Sequence, residues 1–429
     1  MNNRIYRKIK GFRDIFGDEI YYWHIVEDKF KKIFSLYGYE EVKLPVIERV
    51  EVFKKGLGDT SDIVDKEMFS FIDKDNKTVV LRPEGTASVA RFYIENGLFN
   101  DNKVDKFYYY GPMFRRENPQ KGRFRQFYQV GVEAIGSSSA LLDSEVIKLF
   151  SDFFDSFNTK LDIRLEINSI GCQMCRQSYI VALSDYLKEE SNNLCENCNN
   201  KLQSNPLRVL DCKNIRCRDA LENAPKIDKF LCGECKNHFQ KVKDYLNRFN
   251  INFLVNLKLV RGLDYYMRTA FEMITDHFGP ALAIGAGGRY DGLIKQLGGP
   301  DVPGIGFAIG IDRLVTLLKE VKEISGELKF FIAYQNSNQI DSVICLLKEL
   351  RENYLNTITD FDGKNLKNQL KMANKYSVDY VIILGDDEIK GQYVTIKNMK
   401  NGEQYKFSRE NVAIVIKNKF INGGVNCFQ

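Results

Sequence analysis

Residues 106–136 read KFYYYGPMFRRENPQKGRFRQFYQVGVEAIG, two aromatic and β-branched runs on either side of a charged, glycine-containing tip. Aromatic and β-branched side chains pack well on a pleated surface, and turn residues between two such runs mark a hairpin, so this stretch predicts two long antiparallel strands. Positions two apart share a face of a strand, which places Phe127, Gln129, Gly131 and Glu133 on one surface. An aromatic ring can stack on a base and an amide can hold an ammonium. A glycine lets a ligand lie close, and a carboxylate can accept a proton from a ring N–H. The four read as a ligand floor, with the wet face of an ordinary antiparallel strand as the alternative. The tip, 115–125, sets Arg115, Arg116, Lys121, Arg123 and Arg125 against the single acid Glu117. That density suits phosphate; a solvated hairpin tip is the plainer explanation.

Upstream, Ile20, Trp23, Val26, Phe30, Ile33 and Phe34 recur at helical spacing and predict a helix over 19–37. EEVKLPVIE (40–48) alternates like a strand, and its Pro45 is tolerated only at an edge or where a subunit boundary replaces the ladder partner. Downstream, LKLVRGLDYYMRTAFEMI (257–274) and AIGAGGRYDGLIKQLGG (283–299) are strand-like and glycine-rich, and GIGFAIGIDRLVTLL (304–318) reads as strand, turn, helix. After Gly326 strands and helices alternate over about 100 residues, the pattern of a small α/β domain. Residues 328–429 hold 14 Lys or Arg and 11 Asp or Glu, a balance that permits RNA without requiring it.

At 429 residues the chain exceeds one ordinary core, and its 44% hydrophobic and 28% charged residues exclude disorder. A net charge of +5 is compatible with an anionic partner but too small to identify one. No apolar region follows the basic N-terminus and no apolar run approaches the roughly 18 residues of a spanning helix, so a cytoplasmic protein with no membrane partner is expected.

Eight of ten cysteines fall between 172 and 235. Cys172 and Cys175, Cys195 and Cys198, and Cys232 and Cys235 are CxxC pairs, and Cys212 with Cys217 is a fourth at wider spacing. The arithmetic is that of one or two structural Zn2+ sites of four thiolates each, ahead of free thiols in a small core and, last, disulfides.

No Walker-type loop and no GxGxxG opening a helix after a first strand occurs, so a bound nucleotide needs another cradle. The arginine-rich hairpin resembles motif 2 of class II aminoacyl-tRNA synthetases. EEVKLPVIE before it and GIGFAIGIDRL after it are similar to motifs 1 and 3. LVRGLDYY (259–266) and GGRYDGL (287–293) look like the two signatures of histidyl-tRNA synthetases, as do LRPEGTA (81–87) and FRRENPQKGRFRQFYQ (114–129). The resemblance covers essentially the whole chain. It implies an α+β fold: a class II catalytic domain on an antiparallel sheet (1–171 and 251–326), a Cys-rich insertion (172–250) and an α/β anticodon-binding domain (327–429).

The resemblance also implies the chemistry: L-histidine activated by ATP with Mg2+ and transferred to tRNA(His), by a homodimer. It places Glu84, Gly85, Thr86 and Gln129 around the α-amino group and Glu133 and Tyr266 on the imidazole, with Tyr265 and Tyr290 shaping the pocket. For ATP it gives Phe127 as the base stack, Arg115 on the α-phosphate, and Arg123 and Arg313 on the distal phosphates. Arg261 looks like the histidine-specific arginine that stands where other class II enzymes use a metal, and with Arg115 it is the expected catalytic pair. Packing is the alternative for any one of the tyrosines, and pairing with Asp312 is the alternative for Arg313. Gly285, Gly287 and Gly288 are expected to admit the adenylate backbone-close. A regulatory paralogue without catalysis, another class II specificity and a zinc-ribbon nucleic-acid binder are the competing assignments. The first should lack the C-terminal domain, the second Glu133 and Tyr266, and the third leaves the ordered motifs unexplained.

Overall fold

The computed structural model describes residues 6–58, 63–101, 103–118, 122–158, 161–263, 265–277, 282–321 and 326–422. The chain forms two compact units, Met1–Ile324 and Ser325–Gln429. The hairpin predicted from 106–136 is present as Asp105–Phe114 and Gln126–Ile135, paired antiparallel with Tyr109 opposite Gly131 and Phe107 opposite Glu133. It lies inside an eight-stranded sheet. From the hairpin the sheet continues antiparallel through Gly304–Gly310, Leu282–Arg289, Met267–Thr275 and Ile163–Ser169. Short parallel strands, Glu40–Glu41 and Leu254–Val255, close its two ends.

One face of this sheet is sealed. Val130, Val132 and Ala134 pack with Phe30 and Phe34 of the helix Glu19–Leu36 and with Phe150, Phe153 and Phe154 of the helix Ala140–Asp155. The Phe150 ring meets Phe271 edge-on at 5.4 Å and Phe307 at 4.7 Å. Each fully buried Phe is worth roughly 1.5–3 kcal/mol, so this aromatic layer decides which side of the sheet is core. The face bearing Phe127, Gln129 and Glu133 is left for a site.

The single strand expected over 40–48 is instead broken in two. Glu40–Glu41 joins the large sheet, while Ile47–Arg49 pairs antiparallel with Thr78–Leu81 in a separate three-stranded sheet. Pro45, which has no N–H for a ladder, sits in the break. The carbonyls there are taken by buried Arg82, which donates to Leu44 O at 2.9 Å and Pro45 O at 3.4 Å and also reaches Pro112 O on the hairpin at 3.0 Å.

The cysteine-bearing segment has its own small core, with Tyr179, Leu183, Val209 and Ile227 around the buried thiols. Its last helix, Gly233–Arg248, spans two cores: Cys235 belongs to the thiol core, whereas Phe239, Val242 and Leu246 belong to the aromatic layer behind the sheet.

The second unit is a five-stranded sheet in the order Asn356–Thr359, Lys329–Tyr334, Tyr380–Leu384, Tyr393–Asn398, Gln404–Ser408. The first three strands are parallel and the last two antiparallel. The helix Ile340–Glu352 buries Val343, Leu346 and Leu350 on one face, and Ala373 of the helix Leu366–Lys375 packs on the other. Among the described residues no helix is long and apolar enough to cross a membrane.

Candidate active site

The open face of the large sheet floors a cleft of ≈ 440 Å³, within the range of about 300–1,000 Å³ common for ligand pockets. Phe127 and Gln129 line it from the hairpin, and Glu133 lies deeper, 1% exposed. Glu84 and Thr86 enter from the start of the helix Thr86–Glu95. The Glu84 carboxylate accepts from the Thr86 and Ala87 backbone N–H groups at 2.6 and 2.9 Å, so a helix N-terminus holds this buried acid. Burial still pushes its carboxyl above the usual range, against those two N–H groups. The Thr86 hydroxyl donates to Glu133 Oε1 at 2.7 Å, tying the helix to the floor. Gly85 runs against the Tyr109 ring, where a Cβ would lie 2.2 Å away.

At one end of the cleft three arginines converge. Arg115 donates from Nε to Pro83 O at 2.9 Å and lies 5.2 Å over the Phe127 ring. Arg123 pairs with Glu117 at 3.1 Å. Arg313, in the first turn of the helix Ile311–Val321, donates to Ala283 O at 2.6 Å. Burial, followed by the nearby Arg123 and Arg115 charges, pushes the Arg313 guanidinium down to about 10 despite Glu117. Asp312 is not the salt-bridge partner of Arg313: it holds Arg13 at 2.8 Å and accepts the Tyr128 N–H at 2.7 Å. Three arginines with Glu117 paired to Arg123 and Asp312 already held by Arg13 make a cationic corner suited to a polyanion. Lys121 lies outside the described residues.

The opposite wall is 259–266. Arg261 pairs with Glu272 and lies 5.1 Å over the Tyr266 ring. Burial works against its charge, but Glu272 and the tyrosines hold its pKa above the ordinary value. Tyr265 contacts Tyr266 at 4.6 Å and Tyr290 edge-on at 6.0 Å. Asp264, within the signature, lies outside the described residues.

Among the described residues, six buried polar atoms at this end have no hydrogen-bond partner: the Tyr109, Tyr265 and Tyr290 hydroxyls, Gln129 Oε1, Glu133 Oε2 and Arg261 Nε. Each such group costs about 1–3 kcal/mol, so a cluster of them marks a place shaped for a polar ligand. Burial pushes Glu133 up to about 8, with the adjacent Tyr290 hydroxyl and Thr86 pulling the other way. The Tyr290 hydroxyl sits beside that carboxylate without closing a well-formed hydrogen bond. Gly306 leaves the carboxylate room, since a Cβ there would be 2.0 Å from Glu133 Oε2.

The three glycines expected beside the adenylate, Gly285, Gly287 and Gly288, have two kinds of surroundings. Gly285 lines the cleft, but a Cβ on Gly285 or Gly287 would strike Phe150 or Phe271 on the sealed face. Their bareness serves the aromatic layer; only at Gly288 would a Cβ meet the site, 2.9 Å from Tyr266. Tyr109 and Glu272 were missed from sequence, although Tyr109 was findable as the cross-strand neighbour of Gly131. Lys201, Arg208 and Asp211 from the cysteine-bearing segment also line the cleft, and nothing in the sequence brings them to Arg261.

The eight clustered cysteines form no disulfide and assemble in two nested sets. Cys172, Cys175, Cys232 and Cys235 make one; Cys195, Cys198, Cys212 and Cys217 make the other, with the sulfurs of each set within 4.8 Å of one another. Cys172 and Cys175 are 3.5 Å apart and Cys195 and Cys212 are 4.0 Å apart. Four thiolates around one zinc would stand about 3.8 Å from each other. Backbone N–H groups of Cys195 and Cys232 donate to Cys217 Sγ and Cys175 Sγ, each at 3.1 Å. The N–H of Cys198 holds the Cys195 thiol down at about 7. Both sets therefore fit a metal that takes soft, anionic sulfur.

Known proteins extend this geometry. A family profile described as histidyl-tRNA synthetase matches residues 11–314, and one described as anticodon binding domain matches 329–419. The histidine–tRNA ligase of Thermodesulfovibrio yellowstonii is 43% identical over 416 residues, covering 97% of this chain and 99% of that protein. That of Clostridioides difficile is 44% identical over 400 residues, 92% of this chain and 95% of that protein. The crystal structure of apo S. aureus histidyl-tRNA synthetase superposes with a TM-score of 0.77 at 32% identity, covering 96% of this chain and 100% of that one. With a cleft that joins an arginine corner to a tyrosine and glutamate pocket, and with relatives matched nearly end to end, the chain belongs to the histidyl-tRNA synthetase family.

Proposed function

We propose that this chain activates L-histidine with ATP to histidyl-adenylate and pyrophosphate, and then transfers histidine to the 3′ end of tRNA(His). The observation that carries this is the pairing of two unlike ends in one cleft: unpartnered tyrosine, glutamine and glutamate atoms at one, three arginines at the other. Glu84, Thr86 and Gln129, with the Gly85 backbone close by, hold the α-ammonium. Glu133 and Tyr266 read the imidazole, and Tyr265 and Tyr290 bound it. A pocket that hydrogen-bonds both ring nitrogens rejects isosteres far better than an apolar slot does.

Phe127 stacks on the adenine, Arg115 meets the α-phosphate, and Arg123 and Arg313 meet the distal phosphates. Arg261, held by Glu272, reaches the α-phosphate and the histidine carboxylate. A carboxylate oxygen then bonds to the α-phosphorus as the bond to the bridging oxygen breaks and pyrophosphate leaves, with no proton transferred. Positioned cations dominate such a step, and Mg2+ would enter with ATP as the counter-ion of the phosphates that leave as pyrophosphate. The two thiolate sets hold structural Zn2+. Residues 1–171 with 251–326 serve as the catalytic domain, 172–250 as the insertion and 327–429 as the anticodon-binding domain, in the cytoplasm. Exposed Ile47, Phe71 and Ile72 on the small sheet beside Pro45 support a homodimer.

Histidine-dependent exchange of pyrophosphate into ATP tests the assignment, and Arg261→Ala should lower it by roughly 10²–10³-fold. Exchange with a different amino acid, or none, would overturn it. Metal analysis of anaerobically purified protein should find zinc near two equivalents, matching the two sets, and about one in Cys195→Ser.

A further inference from the structure

Beyond the substrate-touching residues, the segment Leu259–Tyr266 needs an explanation of what holds it. It carries Arg261, Tyr265 and Tyr266, and its described residues lie in no helix or strand, so ladder hydrogen bonds do not fix it. It is gripped from the cysteine-bearing side at three points. Arg208 donates to the Gly262 carbonyl at 3.1 Å, Arg176 donates to the Tyr266 carbonyl at 2.7 Å, and Val260 packs against the thiol core.

Each arginine is anchored beside one thiolate set. Arg208 stands in the turn Pro206–Val209, which is reached by the helix Glu196–Ser204 starting at Cys195 and is followed by Cys212, both of one set. Arg176 directly follows Cys175, in the helix Gln173–Glu189 that begins after Cys172, both of the other set. Asn205 and Leu207, on either side of Pro206 in the stretch that carries Arg208, face Val260 and Leu263 across one small cavity.

We propose that the two four-cysteine sets, loaded with metal, clamp the histidine-reading segment from the cysteine-bearing side of the cleft, with Arg208 and Arg176 as positioning residues acting on Gly262 and Tyr266. The thiols make no contact with substrate; they fix where Arg261 and Tyr266 stand. The proposal rests on the assignment of Arg261 to the activation step. Its leverage is geometric, because a misplacement of about 1 Å in a catalytic group can cost 10²-fold in rate.

Point variants are the right probe, since removing 172–250 would strip Val242 and Leu246 from the core behind the sheet. Arg208→Ala and Arg176→Ala should each keep the wild-type zinc content and melting transition while lowering kcat for histidine-dependent exchange roughly tenfold or more. KM for ATP should move little, and Arg208→Lys should recover part of the loss. In an Arg261→Lys background, Arg208→Ala should cost much less than it does alone, because a residue acting through Arg261 is not additive with it. Stripping zinc with a chelator should lower wild-type exchange and add little to the Arg208→Ala/Arg176→Ala double variant. Additive losses, unchanged exchange in the double variant, or protein that carries no metal would each overturn the clamp. Failure of wild-type protein to exchange with histidine would instead remove the functional assignment beneath it.

Discussion

Arg289 ends the strand Leu282–Arg289 and is buried, Arg313 stands half-buried in the first turn of the helix that follows the neighbouring strand, and their surroundings are opposite. Arg289, 0% exposed, pairs with Asp143 and Asp291 and donates to Ser137 O at 2.6 Å. Asp143 in turn accepts from the Thr269 hydroxyl at 2.5 Å and contacts His238 Nε2 at 2.8 Å. Burial opposes the Arg289 charge, but Asp143 and Asp291 raise it above the ordinary value. At Arg313, burial and two more arginines push the other way, down to about 10. A buried charge ringed by acids and carbonyls is part of the fold. One ringed by like charges is left for a ligand of opposite sign.

Breaking the closed side of this comparison should have the largest effect on the fold. Asp143→Ala takes the buried carboxylate from Arg289 and leaves it only Asp291 and the Ser137 carbonyl, and denaturant unfolding should show a loss of about 3–5 kcal/mol. Replacing Arg289 with Met in the same protein should recover much of it, since the under-compensated buried charge and not the missing carboxylate is the main cost. On the open side the expectation inverts. Arg313→Met should leave the unliganded protein as stable as before or more so, while lowering exchange by roughly 10²–10³-fold, as loss of one preorganised charge does. A large drop in stability for Arg313→Met would move it to the Arg289 class.

Glu133 extends the contrast to an acid, whose effect is spread over several pH units. Its carboxyl is raised by burial from an ordinary 4.5 to about 8. Between those values the folded protein keeps a proton that the unfolded chain has released, so folding is favoured at low pH and the advantage is lost as pH rises to about 8. The slope is at most about 1.4 kcal/mol per pH unit, and Glu133→Gln should flatten it in urea titrations across that window.

The sequence made the hairpin legible because alternation and turn chemistry are local: Phe127, Gln129 and Glu133 share a face for the same reason that Val130 and Val132 seal the other. The arginine corner was legible as composition, and the signature segments as resemblance. The contacts between distant stretches were not. Arg13 taking Asp312, Glu272 taking Arg261 and Arg208 reaching Gly262 join parts of the chain that no periodicity links. The nested pairing of the cysteines belongs with these, because CxxC spacing fixes pairs but leaves their partners open. Pro45 reads as a signal for an edge or a subunit boundary within one strand, and the structure uses its missing N–H to divide the segment between two sheets.

The smallest expected effect lies at Glu117, the acid paired with Arg123 in the arginine corner. Its pairing with Arg123 at 3.1 Å resembles the Asp143 contact with Arg289 on paper, but the Arg123 side chain is 37% exposed. Water screens it, so Glu117→Gln should change stability by no more than about 1 kcal/mol. The same substitution removes a charge that competes with ATP phosphates for Arg123. KM for ATP should therefore fall slightly at low salt, and the difference should shrink as the screening length contracts to about 8 Å near 0.15 M. A stability loss of several kcal/mol, or weaker ATP binding, would show that Glu117 is a structural partner and that the corner is closed in the manner of Arg289. A small shift confined to ATP would place it with Arg313, as a counter-ion that the polyphosphate displaces.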